Sequence, residues 1–425
     1  MSTTFIILII VLAFSGAPLF TIIGGLALYL FATSNIDTSA VIIELCRIAE
    51  TPTLIAIPLF TFAGYMLAES RSAQRLVNLA QALFGWFRGG LAIVVLLTCA
   101  FFTAFTGASG VTIIALGGLL YPMLIKEHYP ERFSLGLVTA AGSIGLLFPP
   151  SLPIIIYGMT AEASIDKLFV AGVLPGVVLI LVVAIYSVMV GRKGNVPRVP
   201  FNLSNALRTT KEATWELLIP VIIIGGIYGG FITVTEAAAV TAMYVFVIEF
   251  FVYRDLRIKK DMPRIMRESM VLVGSILAII GVALGFTNYL VDDQVPQKLF
   301  EFVQAEISSP LLFLLILNGF LIIVGMMMDI FSAILVVVPL ILPIARGFGI
   351  DPVHLGIIFL MNLEIGFLTP PVGLNLFMSS LRFEKPVLTV AHDVLVFLGL
   401  ELVALLLVTY VPDLSLWLVQ LVGIQ

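Results

Sequence analysis

The stretch Ile144-Gly145-Leu146-Leu147-Phe148-Pro149-Pro150 returns 221 residues later (365 minus 144) as Ile365-Gly366-Phe367-Leu368-Thr369-Pro370-Pro371. Each copy lies in the middle of an apolar run, 133–160 and 353–381, and a spanning helix needs about 20 apolar residues. A glycine followed by two prolines cannot continue a helix. Proline has no N–H to donate, its ring collides with the preceding turn, and the residue before it is pushed out of the helical region. Both runs are therefore predicted to be helices broken near mid-membrane. Backbone freed in hydrocarbon must be met by protein, water or a ligand, and loose carbonyls at half-helix ends suit a cation. For either motif alone, a proline kink with no ligand is the alternative.

The same shift places Pro122 on Pro343 and the apolar run 89–125 on 309–345. These two runs are nearly twice one membrane thickness and are interrupted, by Thr106-Gly107-Ala108-Ser109-Gly110 and by Asp329. Each is predicted to be a re-entrant hairpin that enters and leaves on one side. Further apolar runs cover 1–31, 52–68, 168–190, 215–232, 235–253, 268–290 and 391–411. Composition agrees: the 425 residues are 60% hydrophobic and 11% charged, against about 25% charged in a soluble chain. The fold class is an all-α polytopic membrane protein. His128, His354, His392, Cys46 and Cys99 are scattered, which leaves no zinc spacing, no CxxC and no disulfide framework. No phosphate-binding loop and no GxGxxG after a strand occur, so an ion gradient is the expected source of any work.

Sorting the charges orients the chain. With a cytoplasmic N-terminus, the inner segments are 69–88, 126–132, 191–214, 254–267 and 382–390, and they hold 18 of the 22 Lys and Arg. The outer segments keep Arg47, Lys167, Lys298 and Arg346 beside Asp37, Glu162, Asp166, Asp292, Asp293 and Glu301. That split obeys the positive-inside rule. The span at 215–232 turns the second half over, so the repeat is inverted. The predicted organisation is a first repeat over 1–190 (hairpin 89–125, broken helix 133–160) and a cytoplasmic connector with a linking span over 191–234. A second repeat follows over 235–411 (hairpin 309–345, broken helix 353–381), then a C-terminal tail over 412–425. Inverted repeats with helices interrupted at mid-membrane are the architecture of secondary transporters.

At the first hairpin tip, Thr106, Ser109 and Thr112 offer hydroxyls, and Gly107 and Gly110 let the backbone turn and approach a ligand. The same small residues also serve as plain helix-packing contacts. At the second tip, Asp329 is a carboxylate inside an apolar run, which marks an ion, a partner or a helix cap. Glu364 beside the second break, and Glu236, Glu249 and Glu401 in other spans, are weaker candidates; Glu236 or Glu249 at an interface would be merely solvated. Asn362 and Asn375 flank the second break and can donate to a carboxylate.

Five segments together resemble the large membrane subunit (DctM type) of tripartite ATP-independent periplasmic (TRAP) transporters: FTGASGVTIIALGGLLYPM (105–123), GSIGLLFPPSLPIIIYG (142–158), VTEAAAVTAMY (234–244), VGMMMDIFSAILVVVPLILP (324–343) and IGFLTPPVGLNLF (365–377). The likeness covers essentially the whole chain; one departure is Val234, where many members have proline. It implies a sodium-driven importer of organic acids, such as C4-dicarboxylates or sugar acids, in a bacterial inner membrane. It also implies two partner proteins, a small membrane subunit (DctQ type) and a periplasmic substrate-binding protein (DctP type), with no nucleic acid. An elevator movement of hairpins and broken helices across a fixed scaffold is implied as well. On this reading Na+ lies between each tip and its facing break, near Thr106, Gly107, Ser109 and Gly145 in one half and near Asp329, Gly366 and Thr369 in the other. The anion lies between them, against Ser109, Thr112, Asn375, Pro150 and Pro371. A proton-coupled transporter and a passive channel of similar fold remain open, as does an intramembrane enzyme acting on lipid, although no His, Ser and Asp constellation stands at catalytic spacing.

Overall fold

The computed structural model describes residues 8–9, 11–12, 17–34, 36–47, 51–87, 89–194, 200–307 and 309–423. Much of the first half of the 1–31 run, residues 195–199 of the connector and the last two residues of the C-terminal segment lie outside the described residues, as do Arg88 and Arg198 of the charge sorting. Among the described residues the structure is helical, with no strand. Eight helices among the described residues are long and apolar enough to cross a membrane, and the bent pair Glu131–Leu147 and Leu152–Thr160, taken as one span, makes a ninth. Helix is what hydrocarbon demands, because it satisfies backbone N–H and C=O groups within one segment.

Both repeated motifs break their helices. Glu131–Ile144 tightens into a 3-10 turn over Gly145–Leu147, passes through extended Phe148, and resumes as Leu152–Thr160 after a 46° bend. Pro352–Phe367 stops and resumes as Leu374–Phe383. The Pro149-Pro150 and Pro370-Pro371 bonds are both cis. The long apolar runs are interrupted where the sequence indicated, giving Gly90–Thr106 and Ser109–Lys126 in the first half and Pro310–Met327 and Ile330–Gly347 in the second. Gly107 makes the first interruption. Its φ is +64°, and a Cβ there would stand 2.6 Å from the Leu152 side chain, so both backbone and neighbour require glycine.

The two halves also share a contact. A Cβ on Gly145 would stand 2.8 Å from Ala104 N, and one on Gly366 would stand 2.5 Å from Gly325 Cα. The same pair of positions, offset by 221 in each case (366 minus 145, 325 minus 104), brings a break against a hairpin arm.

Around these elements stand the long helices Ile165–Lys193, Met262–Asp292 and Val387–Tyr410, and Val234–Val247 with a π turn over Ile248–Val252. Met262–Asp292 packs on Leu19–Thr33, Ser39–Arg47 and Ala56–Glu69. The C-terminal segment forms a helix, Asp413–Val422, against Ile165–Lys193 and Pro352–Phe367. There Ser415 Oγ meets buried His354 Nδ1 at 2.6 Å.

Segments grouped by charge in the sequence also meet in space. Arg75 pairs with Glu216, with Asp255 at 2.5 Å and with Glu249 at 3.3 Å, over the Tyr253 ring. Burial works against the Arg75 charge, but the hydrogen bonds it donates to Asp255 and Glu216, with their negative charge, outweigh it and hold the guanidinium above its ordinary value. Arg264 pairs with Glu69, and Lys385 Nζ lies 2.6 Å from Glu131. Glu249 is thus fully buried and ion-paired, not merely solvated. Glu236 is exposed and closes a capping box with Thr233, a T-x-x-E pattern legible in the sequence.

Candidate functional site

The first half-site is a buried hydroxyl cluster. Thr103 Oγ1 lies 2.8 Å from Thr112 Oγ1 and 2.8 Å from the Gly142 carbonyl. Thr106 Oγ1 stands 3.4 Å from Thr112 Oγ1. Gly142 and Gly145 are glycines because the hairpin leaves no room: a Cβ on Gly142 would stand 2.5 Å from Ile113, and one on Gly145 2.2 Å from Ala100 O. Thr106, Gly107, Ser109, Thr112, Gly145 and Pro150 are therefore gathered where the hairpin tip meets the break, and all are buried.

The second half-site is built differently. Asp329 caps Ile330–Gly347, its Oδ1 accepting from Phe331 N at 3.0 Å and Ser332 N at 3.1 Å, while its Oδ2 accepts from Ser332 Oγ. Gly366 packs on Gly325, Gly373 N donates to Met326 O at 3.3 Å, and Thr369 Oγ1 donates to Ile365 O. Asp329, Pro370 and Pro371 are exposed. Equivalent positions in the two repeats thus face different surroundings.

The halves meet at the sites themselves. Ser109 Oγ donates to Asn375 Oδ1 at 2.6 Å, and Thr139 Oγ1 donates to Ser379 Oγ at 2.8 Å one turn along. Gly110 faces Met378, while Gly117 and Gly118 face Phe383 and Arg382. Hence Ser109–Lys126 lies directly on Leu374–Phe383, and Lys385 pairs with Glu131 at its far end. That carboxylate holds the Lys385 ammonium above the usual lysine range.

Helix polarity then sorts the chemistry. The N-termini of Ser109–Lys126, Leu152–Thr160 and Leu374–Phe383 converge near the Ser109–Asn375 bond and Gly107, and none has a side-chain cap. Unfilled N–H groups and the positive dipole end make such termini receptive to anions. The N-terminus at Ile330 is the contrasting case, since its own Asp329 fills it. Two further groups are buried and unpartnered, Asn375 Nδ2 and Ser151 Oγ. The amide is a pure donor and the hydroxyl can be one, as a carboxylate requires. The C-terminal ends, at Thr106, Leu147 and Phe367, are the negative ends of their helix dipoles.

Thr103, Thr139, Ser151 and Ser379 were not singled out by sequence. Spacing gave no sign of any of them. Glu364 and Glu401 are buried apart from the tips, with Glu364 Oε1 and both Glu401 oxygens unpartnered. Asn362 donates to Asn318 Oδ1 at 2.8 Å rather than lining the break. A cavity of 980 Å³ is lined by Glu44, Arg47, Glu162, Asp166 and Glu236 among others, and by no residue of either break.

Residues 5–414 match the family described as "Tripartite ATP-independent periplasmic transporter, DctM component". The C4-dicarboxylate TRAP transporter large permease protein DctM of Pseudomonas aeruginosa is 40% identical over 95% of this chain and 94% of that protein. The isethionate TRAP transporter permease protein DctMQ of Oleidesulfovibrio alaskensis is 36% identical over 94% of this chain and 64% of that protein. Among solved structures, the Alcanivorax borkumensis YdaH transporter shares the fold with a TM-score of 0.62, at 14% identity over 87% of each chain.

Proposed function

Because this chain belongs to the DctM family of TRAP transporters, as a multi-pass large permease subunit for C4-dicarboxylates or related organic acids and not an enzyme, we propose that it couples uptake of such an acid to an inward Na+ gradient. The observation that carries the organic-acid part of this reading is the convergence of three uncapped helix N-termini on an orphaned amide donor, Asn375 Nδ2. It supports binding of a carboxylate by Ser109, Thr112 and Asn375, with Pro150 and Pro371 shaping the breaks. On this reading Na+ lies where hydroxyls and carbonyls gather at the tips and breaks: Thr106, Gly107, Ser109 and Gly145 in the first half, and Asp329, Gly366 and Thr369 in the second. Asp329 keeps one lone pair, on Oδ2, for an ion beyond the three its cap uses.

On this reading, substrate arrives from a periplasmic binding protein, and a small membrane subunit completes the transporter. The N-terminus is cytoplasmic, in line with the basic segments that cluster on one face. The contacts Ser109–Asn375, Thr139–Ser379 and Lys385–Glu131 tie both half-sites into one body, which favours an elevator step in which they move together. The test uses vesicles containing this chain and its small subunit, with binding protein and a labelled C4-dicarboxylate outside. Accumulation above the external concentration, lost when either partner is omitted, is the expected result. Flux that only equalises the two sides identifies a channel instead.

A further inference from the structure

The helix Leu203–Glu212 joins two apolar helices, Ile165–Lys193 and Thr214–Tyr228, and shows three chemically distinct faces. Asn202 caps it, accepting from Asn205 N at 3.2 Å. Ala206 and Thr209 are buried, and the helix packs on Ser72–Phe84. Leu203 and Leu207 are each 63% exposed, with Phe201 just ahead at 54%. Arg208 and Glu212 form the third face, both exposed. At about 100° per residue these faces point roughly 110–140° apart. A helix in bulk water needs two faces, one for protein and one for solvent. A third, apolar face calls for a third environment.

The neighbouring helices identify it. Leu181, Ile185 and Met189 make an exposed stripe that runs down Ile165–Lys193 toward the connector, ending at Arg192 and Lys193. Beyond the connector, Trp215, Leu218 and Val221 resume an exposed apolar surface on Thr214–Tyr228. In a membrane protein such surfaces face acyl chains, so the helix between them lies where both emerge from the bilayer. Tryptophan at that level and basic side chains beside it are the usual marks of the headgroup zone.

We propose that residues 201–211 form an interfacial lipid anchor. Phe201, Leu203 and Leu207 insert among the acyl chains of one leaflet, and Arg208 and Lys211 meet the phosphates of anionic phospholipid. The anchor holds the connector at the membrane surface and, through Ser72–Phe84, steadies the Arg75 cluster. It depends on the membrane location of the chain and not on its transport cycle.

The test is a single-cysteine nitroxide scan of the full chain with its small subunit, in vesicles of phosphatidylcholine and phosphatidylglycerol. The background carries Cys46→Ser and Cys99→Ala; labels go on Phe201→Cys, Leu203→Cys, Leu207→Cys, Arg208→Cys and Glu212→Cys. Collision with dissolved oxygen is expected to exceed collision with a water-soluble nickel complex at 201, 203 and 207, and the ratio to invert at 208 and 212. Nickel-dominated collision at 203 and 207 puts the face in water and overturns the proposal. Exclusion of both reagents means that protein covers it, which overturns the proposal equally. If a label at 207 prevents folding, 203 reports the same face. The motion of a label at 207 is expected to slow as phosphatidylglycerol is added, and to lose that dependence with Arg208→Gln and Lys211→Gln together. Dependence unchanged in the double variant refutes the headgroup contact.

Discussion

Replacing Asn375 separates a substrate contact from a packing contact. Asn375 is fully buried, its Oδ1 accepts the Ser109 hydroxyl at 2.6 Å, and its Nδ2 has no partner in the protein. If Nδ2 donates to the carboxylate of the substrate, Asn375→Ala removes a hydrogen bond to a charged group, worth about 1.5–3 kcal/mol. At 1.4 kcal/mol per factor of ten, KM for uptake rises about 10- to 150-fold. Ser379 is the internal control. It lies one turn further along the same helix, is equally buried, and is bonded to Thr139 at 2.8 Å. Ser379→Ala therefore loses a comparable neutral bond, about 0.5–1.5 kcal/mol of stability, with no loss at the anion. Asn375→Asp keeps an acceptor for Ser109 but sets a carboxylate against the anion, and so lowers uptake further than alanine does. The assay is the initial rate of labelled C4-dicarboxylate uptake into vesicles at several concentrations, normalised to the amount of folded protein. An Asn375→Ala variant whose KM matches that of Ser379→Ala would refute the role given to Nδ2.

Other substitutions test the packing and the ion. Gly366→Ala sets a Cβ 2.5 Å from Gly325 backbone; overpacking of that kind costs about 1–3 kcal/mol, so melting temperature and uptake both fall. Gly274→Ala, in open space on Met262–Asp292, gains about 1 kcal/mol of helix propensity and leaves uptake intact; equal melting shifts for the two variants would contradict the close approach. Arg75→Met strips the cation from Glu216 and Glu249, which are 1% and 0% exposed. Breaking such a buried pair costs about 3–5 kcal/mol, visible as early unfolding in detergent, and an unshifted melt would show the pairing to be idle. Asp329→Asn preserves the helix cap, since asparagine caps as well as aspartate. It removes the charge, and the Na+ concentration for half-maximal uptake is expected to rise about tenfold, or 1.4 kcal/mol; an unchanged Na+ response reduces Asp329 to a cap.

Much of the architecture was legible in sequence because membrane helices are governed by local rules. Apolar run length and the Ile-Gly-x-x-x-Pro-Pro motif each act within one segment, the 221-residue offset repeats them, and the helices break at Phe148 and Leu368 as those rules require. What lay beyond reach was contact between segments. Ser109 and Asn375 were both candidates, but that they bond to each other across the repeats follows from Gly110, Gly117 and Gly118 letting two helices touch, a fact of shape and not of spacing. The capping role of Asp329 is local and was one of the readings the sequence left open. The Arg75 cluster draws Glu216, Glu249 and Asp255 from segments far apart in the chain, so its members looked like isolated charges. The short helices Ser72–Phe84 and Leu203–Glu212 escaped the search for spans because they are too short and too mixed in polarity to cross.

Coupling to sodium is the claim on which the ion sites depend, and one measurement tests it most directly. Vesicles holding the chain and its small subunit, supplied with binding protein and a labelled C4-dicarboxylate, are given either an inward Na+ gradient or an inward proton gradient of equal size. Accumulation driven by Na+ and unaffected by the proton gradient is the result the account predicts. Accumulation that ignores Na+ and follows the proton gradient would contradict it, and would move attention from the hairpin tips to the buried carboxylates of Glu364 and Glu401.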